Sequence, residues 1–137
     1  MTDQNDFNRQ QIEEFRANRS KGQIEDRPRL LLTTRGARGG QLHTTPVMYI
    51  PDGDSLLVIA SNAGAPTHPD WYRNLLAHPE VTVEYRAEIF DASAVVAEGT
   101  QRERLWNKIV ELYPFFAEHQ AKITRQIPVI ILSRREG

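Results

Sequence analysis

Three strand-like segments follow one another between Leu30 and Ser61, with no room for a helix between them. Leu30-Leu31-Leu32-Thr33-Thr34 reads as a buried strand, Leu42 to Ile50 as a second, and Ser55 to Ser61 as a third rich in Leu, Val and Ile. Gly36-Ala37-Arg38-Gly39-Gly40 turns the chain between the first two. Pro51-Asp52-Gly53-Asp54 is a hairpin turn between the next two. Parallel neighbours need a crossover of about a dozen residues or more, so these strands pair antiparallel and a doubly wound Rossmann sheet is disfavoured. Pro46 cannot donate to a strand ladder and belongs at an edge or a bulge.

Beyond Ser61 the pattern mixes. Asn62 to Thr67 is a loop, and His68-Pro69 opens a short helix that carries Trp71, Tyr72, Asn74, Leu75 and Leu76 and stops near Pro79. Val81 to Arg86 and Glu88 to Ala97 are strands. Arg102 to Leu112 is helical with Leu105, Ile109 and Leu112 on one face, Phe115 to Arg125 is a further helix after Pro114, and Pro128 to Ser133 is a closing strand. At the start, Asp3 to Ser20 reads as a helix with the thin apolar stripe Phe7, Ile12 and Phe15. It is either a surface helix or an arm that docks on a partner subunit, a membrane or the active site. We divide the chain into this arm, residues 1–22, and one domain, residues 23–137. The expected class is α+β, mainly β: about six antiparallel strands curled into a small barrel with flanking helices.

A length of 137 residues suits one domain with a real core. With no cysteine, disulfides, thiolate metal sites and cysteine nucleophiles are excluded. The four histidines (His43, His68, His78 and His119) lack metal-ligand spacing, so no metal site is expected. A net charge of −1, with 18 acidic residues offsetting the arginines, gives no general pull toward nucleic acid. No apolar run is long enough to span a bilayer, the polar start is not a signal peptide, and a cytoplasmic place is expected.

Four constellations could carry chemistry. The turn Thr34 to Gly40, followed by His43-Thr44-Thr45-Pro46, combines glycines, arginines and hydroxyls, which suit an anion such as a phosphate; a solvated hairpin tip has the same composition. It is not a P-loop, since GxxxxGK[ST] is absent. Ala60-Ser61-Asn62-Ala63-Gly64-Ala65-Pro66 leaves room at a strand end for a flat ligand, or is an ordinary loop. Trp71 and Leu75 share one face of the short helix and Asp70 and Asn74 the adjacent one, with Trp71 more typical of a core than of a ligand platform. Tyr113-Pro114-Phe115-Phe116, with His119 beyond, could roof a pocket or pack a helix end on the barrel. No GxSxG elbow or evident carboxylate pair supports a hydrolase. An anion site beside an aromatic pocket suits a flat, phosphate-bearing cofactor.

The run LLTTRGARGGQLHTTPVMYIPDGDSLLVIASNAGAPTHPDWYRNLLAHPEVTVE, with FNRQQIEEFRAN before it and ELYPFFAEHQ and RQIPVIIL after it, resembles the deazaflavin-dependent nitroreductase family, whose members use the reduced deazaflavin coenzyme F-420. The resemblance covers nearly the whole chain and implies a split β-barrel. It makes Thr33 to Tyr85 the coenzyme-binding core. Arg38, His43, Thr45 and Pro46 would hold the coenzyme's phosphate and the start of its tail, while Met48 and Ala60 would line the ring. Ser61, Asn62, Trp71 and Asn74 match positions at the coenzyme or acceptor pocket, and Tyr113 matches a substrate-pocket tyrosine.

The implied reaction is hydride transfer to a quinone-like, nitroaromatic or other activated small-molecule acceptor, with Ser61 or Tyr113 hydrogen-bonding to the acceptor as charge develops. Two departures matter, the first for the acceptor and the second for the coenzyme tail. Phe116 and His119 stand where the familiar pattern has tyrosines, and Asn62 stands where it has a lysine. Alternatives are a non-catalytic F-420 carrier and a flavin mononucleotide (FMN) enzyme on the same barrel. The chain is expected as a monomer or a homodimer, with membrane contact through the N-terminal helix as a further role for that arm.

Overall fold

Alternation closes the sheet. The computed structural model describes residues 12–13 and 28–135. Its strands are β1 (Arg29–Arg35), β2 (Leu42–Asp52), β3 (Ser55–Ile59), β4 (Glu80–Tyr85), β5 (Glu88–Val96) and β6 (Val129–Arg134). Every second residue of each enters one core: Leu30 and Leu32, Val47 and Tyr49, Leu56 and Val58, Val81 and Val83, Ala92 and Ala94, Ile130 and Leu132. A sheet whose strands all bury the same face, and whose edges must not stay open, closes on itself. The order around the closed barrel is β1-β2-β3-β6-β5-β4. Each neighbouring pair is antiparallel, including β4 back onto β1. Burying one aliphatic side chain contributes about 1.5–3 kcal/mol, against about 0–1 kcal/mol for an exposed ion pair, so this interior set dominates the fold's stability.

Three helices cover what the barrel leaves bare. The first, α1 (Asp70–Ala77), drives Trp71 and Leu75 into the barrel core, as their shared helix face requires. The second and third, α2 (Gly99–Leu112) and α3 (Phe115–Ala121), lie between β5 and β6. Their Leu105, Ile109 and Phe116 join Ile127 to cover the outward-facing Ile50, Leu57, Ile59 and Val129. The expected stripe of α2 is narrower than its sequence suggests, because Leu112 is 54% exposed at the helix end. Likewise α3 ends at Ala121, leaving Arg125 in the connection to β6. The chain turns there because Gln120 receives the N–H of Ile127 at 2.8 Å and donates to the Arg125 carbonyl at 2.7 Å.

Pro46 sits at an edge of a specific kind. Strand β2 changes partners along its length: Leu42–Met48 pairs with β1, and Tyr49–Asp52 pairs with β3. The N–H of Tyr49 points at β1, where it donates to the Pro28 carbonyl at 3.1 Å. Strand amides alternate in direction, so position 46 faces away from β1, and no β3 residue lies there to want its missing N–H. Strand β3 stops at Ile59 and leads into a 3-10 turn, Asn62–Gly64. The barrel is therefore split between the first half of β2 and the segment after β3. Of the expected N-terminal helix, Ile12 and Glu13 are described and are helical; the rest of residues 3–20, and the 1–22 boundary, lie outside the described residues.

Candidate active site

A cleft of about 1500 Å³ runs along this split. One wall is β2 from Leu42 to Met48 with the β1–β2 turn above it, and the other is Ile59 and the loop Ser61 to Ala63. Residues 67–71, with Arg73 and Asn74, line it from the α1 side, and Phe115 and Phe116 from α3. Arg29, Ile12 and Glu13 also line it. The cleft thus gathers Arg38, His43, Thr45, Pro46, Met48, Ser61, Asn62, Trp71 and Asn74 from four separate elements and loops.

The glycine turn is built tightly. The N–H of Gly36 donates to the Gln41 carbonyl at 2.7 Å, and Arg35 Nη1 caps the Gly40 carbonyl at 3.0 Å. A Cβ on Gly36 would lie 3.2 Å from two carbonyl oxygens and 3.3 Å from His43 Nε2, a tight fit that the turn would have to open slightly to take. Gly39 and Gly40 both take positive φ. Arg38 is exposed at the cleft, and its guanidinium makes no hydrogen bond or ion pair with the described residues. A free guanidinium beside hydroxyls and a glycine turn is a donor set for a phosphate.

Asn74 has a different task from the one its position in the motif suggests. It is buried, its Nδ2 donates to Thr34 Oγ1 at 3.1 Å, and its Oδ1 accepts the N–H of Ala37 at 3.0 Å. Asn74 therefore ties α1 to the turn that carries Arg38. Trp71 is 8% exposed and belongs to the barrel core, with part of its surface on the cleft.

On the opposite wall, Asn62 and Ala63 both hold positive φ, 50° and 55°. That conformation costs roughly 1–2 kcal/mol per residue with a Cβ. Asn62 closes its own loop by donating to the Thr67 carbonyl at 3.0 Å. Arg125 holds the rest, donating to the carbonyls of Ser61 at 2.8 Å, Ala65 at 2.9 Å and Ala60 at 3.1 Å. Fixed by this frame, Ser61 presents its hydroxyl at the cleft with no hydrogen bond to the described residues.

Two expected site residues, Ala60 and Tyr113, are not among those that line this cleft. Ala60 is wholly buried in the barrel core and does not line the cleft, because strand alternation points it inward. Tyr113 ends α2, packs on the outer cluster, and meets Phe115 edge-on with ring centroids 6.0 Å apart. It is one ring removed from the cleft, whose α3 side is Phe115 and Phe116. His119 packs against those two rings and against Gly64. Arg125 and His68 were not singled out by sequence: Arg125 meets its carbonyl partners about 60 residues away in the chain, which no local pattern encodes.

The family model described as F420H(2)-dependent quinone reductase matches residues 7–134. An F420H(2)-dependent quinone reductase of Mycobacterium tuberculosis is 38% identical over 111 residues, covering 79% of this chain and 74% of that protein. A solved F420-H2 dependent reductase, FDR-A, superposes with a TM-score of 0.71 at 39% identity, over 82% of this chain and 99% of the other. A solved structure described as a domain-swapped dimer gives 0.73 at 36% identity, over 96% and 100%. With that much of its length matched, the chain belongs to the F420H(2)-dependent quinone reductase family.

Proposed function

We propose that this protein transfers a hydride from the reduced deazaflavin coenzyme F-420 to a quinone. The observation that carries the reading is the split-barrel cleft: a guanidinium, Arg38, on one wall, and a hydroxyl, Ser61, on the other, neither with a hydrogen-bond partner among the described residues. A flat ring with a phosphate-bearing tail needs both a long groove and a cation at one side of it. The residues present fit that group.

In this reading Arg38 binds the phosphate, with His43 and Thr45 as further donors. Pro46 keeps a strand amide out of the groove, and Met48 and Trp71 give apolar contact for the ring. When bound, the reduced coenzyme supplies the hydride. The protein's part is to hold donor and acceptor in line and keep water away, for which Phe115 and Phe116 form the apolar wall. Ser61 is a donor to the acceptor. Tyr113, which packs edge-on against Phe115 and is not among the residues lining the cleft, is not assigned that role.

Oxidation of the reduced coenzyme by purified protein with menadione tests the reading; no loss of coenzyme signal with several quinones would end it. Binding without turnover would favour a carrier, and a preference for FMN in a parallel titration would favour a flavin enzyme. Nitroaromatic reduction is a narrower extension, tested by the same assay with a nitro compound. A homodimer is proposed by likeness to the domain-swapped neighbour and is tested by solution mass. No described helix is long and apolar enough to cross a membrane. Vesicle sedimentation with and without residues 1–22 tests peripheral contact by the arm, and fractionation of cells tests the cytoplasmic placement.

A further inference from the structure

His68 lines the cleft one residue before the cap of α1. Its Nδ1 lies 3.1 Å from Arg125 Nη1. A guanidinium can only donate, so Nδ1 accepts and the ring proton sits on Nε2. That Nε2 has no hydrogen-bond partner among the described residues and is not sealed from solvent. The ring is held on its face by Tyr72, with centroids 4.7 Å apart. Arg125 is itself pinned by the Ala60, Ser61 and Ala65 carbonyls. One guanidinium therefore holds both the Ser61 backbone and the His68 ring, and both residues line the same cleft.

The charged and titratable groups around His68 come from two elements. Arg125 faces it from the α3–β6 connection, and Arg73 and Tyr72 from α1. Asp70 lies 3.5 Å from Arg73 and partly offsets it. Burial, then the charges of Arg125 and Arg73, hold the imidazole below its ordinary pKa. A ring kept neutral donates a hydrogen bond without giving up its proton.

We infer that His68 is a neutral hydrogen-bond donor of the acceptor site, fixed as the Nε2–H tautomer by Arg125, and that it takes the carbonyl oxygen of the bound quinone. The inference rests on the functional reading above. In the step, the quinone accepts the hydride with its electron pair and is reduced as the coenzyme is oxidised. One oxygen becomes an anion, and that oxygen later takes a proton from water. His68 keeps its own proton and stabilises the anion by donation. Arg125 is a positioning residue for this donor.

The test compares wild type with His68→Phe, His68→Gln and Arg125→Gln. His68→Phe keeps a flat ring against Tyr72 and removes the N–H; kcat with menadione should fall on the order of 10²-fold, with the coenzyme Kd little changed. His68→Gln retains an amide donor and should recover at least about tenfold of that loss. Nitrogen NMR of the free protein should show His68 with its proton on Nε2 and neutral below the ordinary value of about 6.5. In Arg125→Gln, His68 should titrate at a higher pH than in wild type, and the pH profile of kcat should shift with it. A proton on Nδ1, or His68→Phe with unimpaired kcat, would overturn the inference. A wild type that turns over no quinone would instead bring down the functional reading and this role with it.

Discussion

Asn74 Oδ1 accepts the backbone N–H of Ala37 at 3.0 Å, joining the short helix to the glycine turn across 37 positions of chain. The same amide donates to the buried Thr34 hydroxyl. Replacing Asn74 by Ala would leave the buried Thr34 hydroxyl without its donor, at about 1–3 kcal/mol, and would free the exposed turn at Ala37 from its acceptor. The expected outcome is a lower melting temperature together with weaker coenzyme binding, because the turn bearing Arg38 loses its anchor. Thermal unfolding and a coenzyme titration check the two effects, and a change in only the first would remove Asn74 from any role in binding.

Arg38→Ala is expected to weaken coenzyme binding severalfold while changing the melting temperature of the free protein little, since its guanidinium makes no hydrogen bond or ion pair with the described residues. The affinity difference between variant and wild type should shrink at high salt, as exposed charge interactions are screened within about 10 Å at 0.1 M. An unchanged dissociation constant at low salt would remove Arg38 from the site.

Ala63→Gly removes a Cβ from a left-handed backbone position, φ 55°. Relief of that conformation, worth roughly 1–2 kcal/mol, outweighs the roughly 0.5–1 kcal/mol that glycine loses in chain entropy. A small rise in melting temperature is expected. Gly36→Ala should do the opposite, because its Cβ would press on two carbonyl oxygens at 3.2 Å. Calorimetry of the pair is decisive: a stabilising Gly36→Ala would contradict the packing of the turn.

The Lys108 ammonium 3.0 Å from Asp52, with Arg104 at 3.6 Å, holds the Asp52 carboxyl below its ordinary value. A depressed carboxylate stabilises the fold fully above the ordinary value of about 3.9, and the contribution is lost as pH falls through the lower, folded value. Lys108→Met should therefore lower the melting temperature modestly at pH 7, by no more than about 1 kcal/mol for so exposed a pair. The gap from wild type should narrow steadily below about pH 4. Unfolding curves at several pH values measure it.

Much of the barrel was legible because its signal is local. Leu30 and Leu32, Val81 and Val83, and the two-residue turn Gly53-Asp54 all announce themselves within a few positions. The cleft wall along β2 was legible too, since Gly36 and Pro46 each have a backbone meaning that no other residue shares. What escaped was contact at long range. Leu112 fits the helical stripe and yet lies past the end of the barrel's cover. Ala60 follows a run of strand residues, and only the closed sheet decides that it faces inward. Arg125 reads as the end of a helix, and its role exists only because three carbonyls from the opposite wall converge on it.

The change of partner in β2 has a consequence for how this family can vary. Residues Tyr49–Asp52 are laced to β3, whereas Leu42–Met48 form a one-sided hem whose outer carbonyls and amides answer to no strand. Substitutions along that hem, and in the loop facing it, alter what the groove admits without unpicking the closed half of the barrel. The half of β2 laced to β3 is thus a fixed frame, and the half along the cleft is a margin that can change with less cost to the fold.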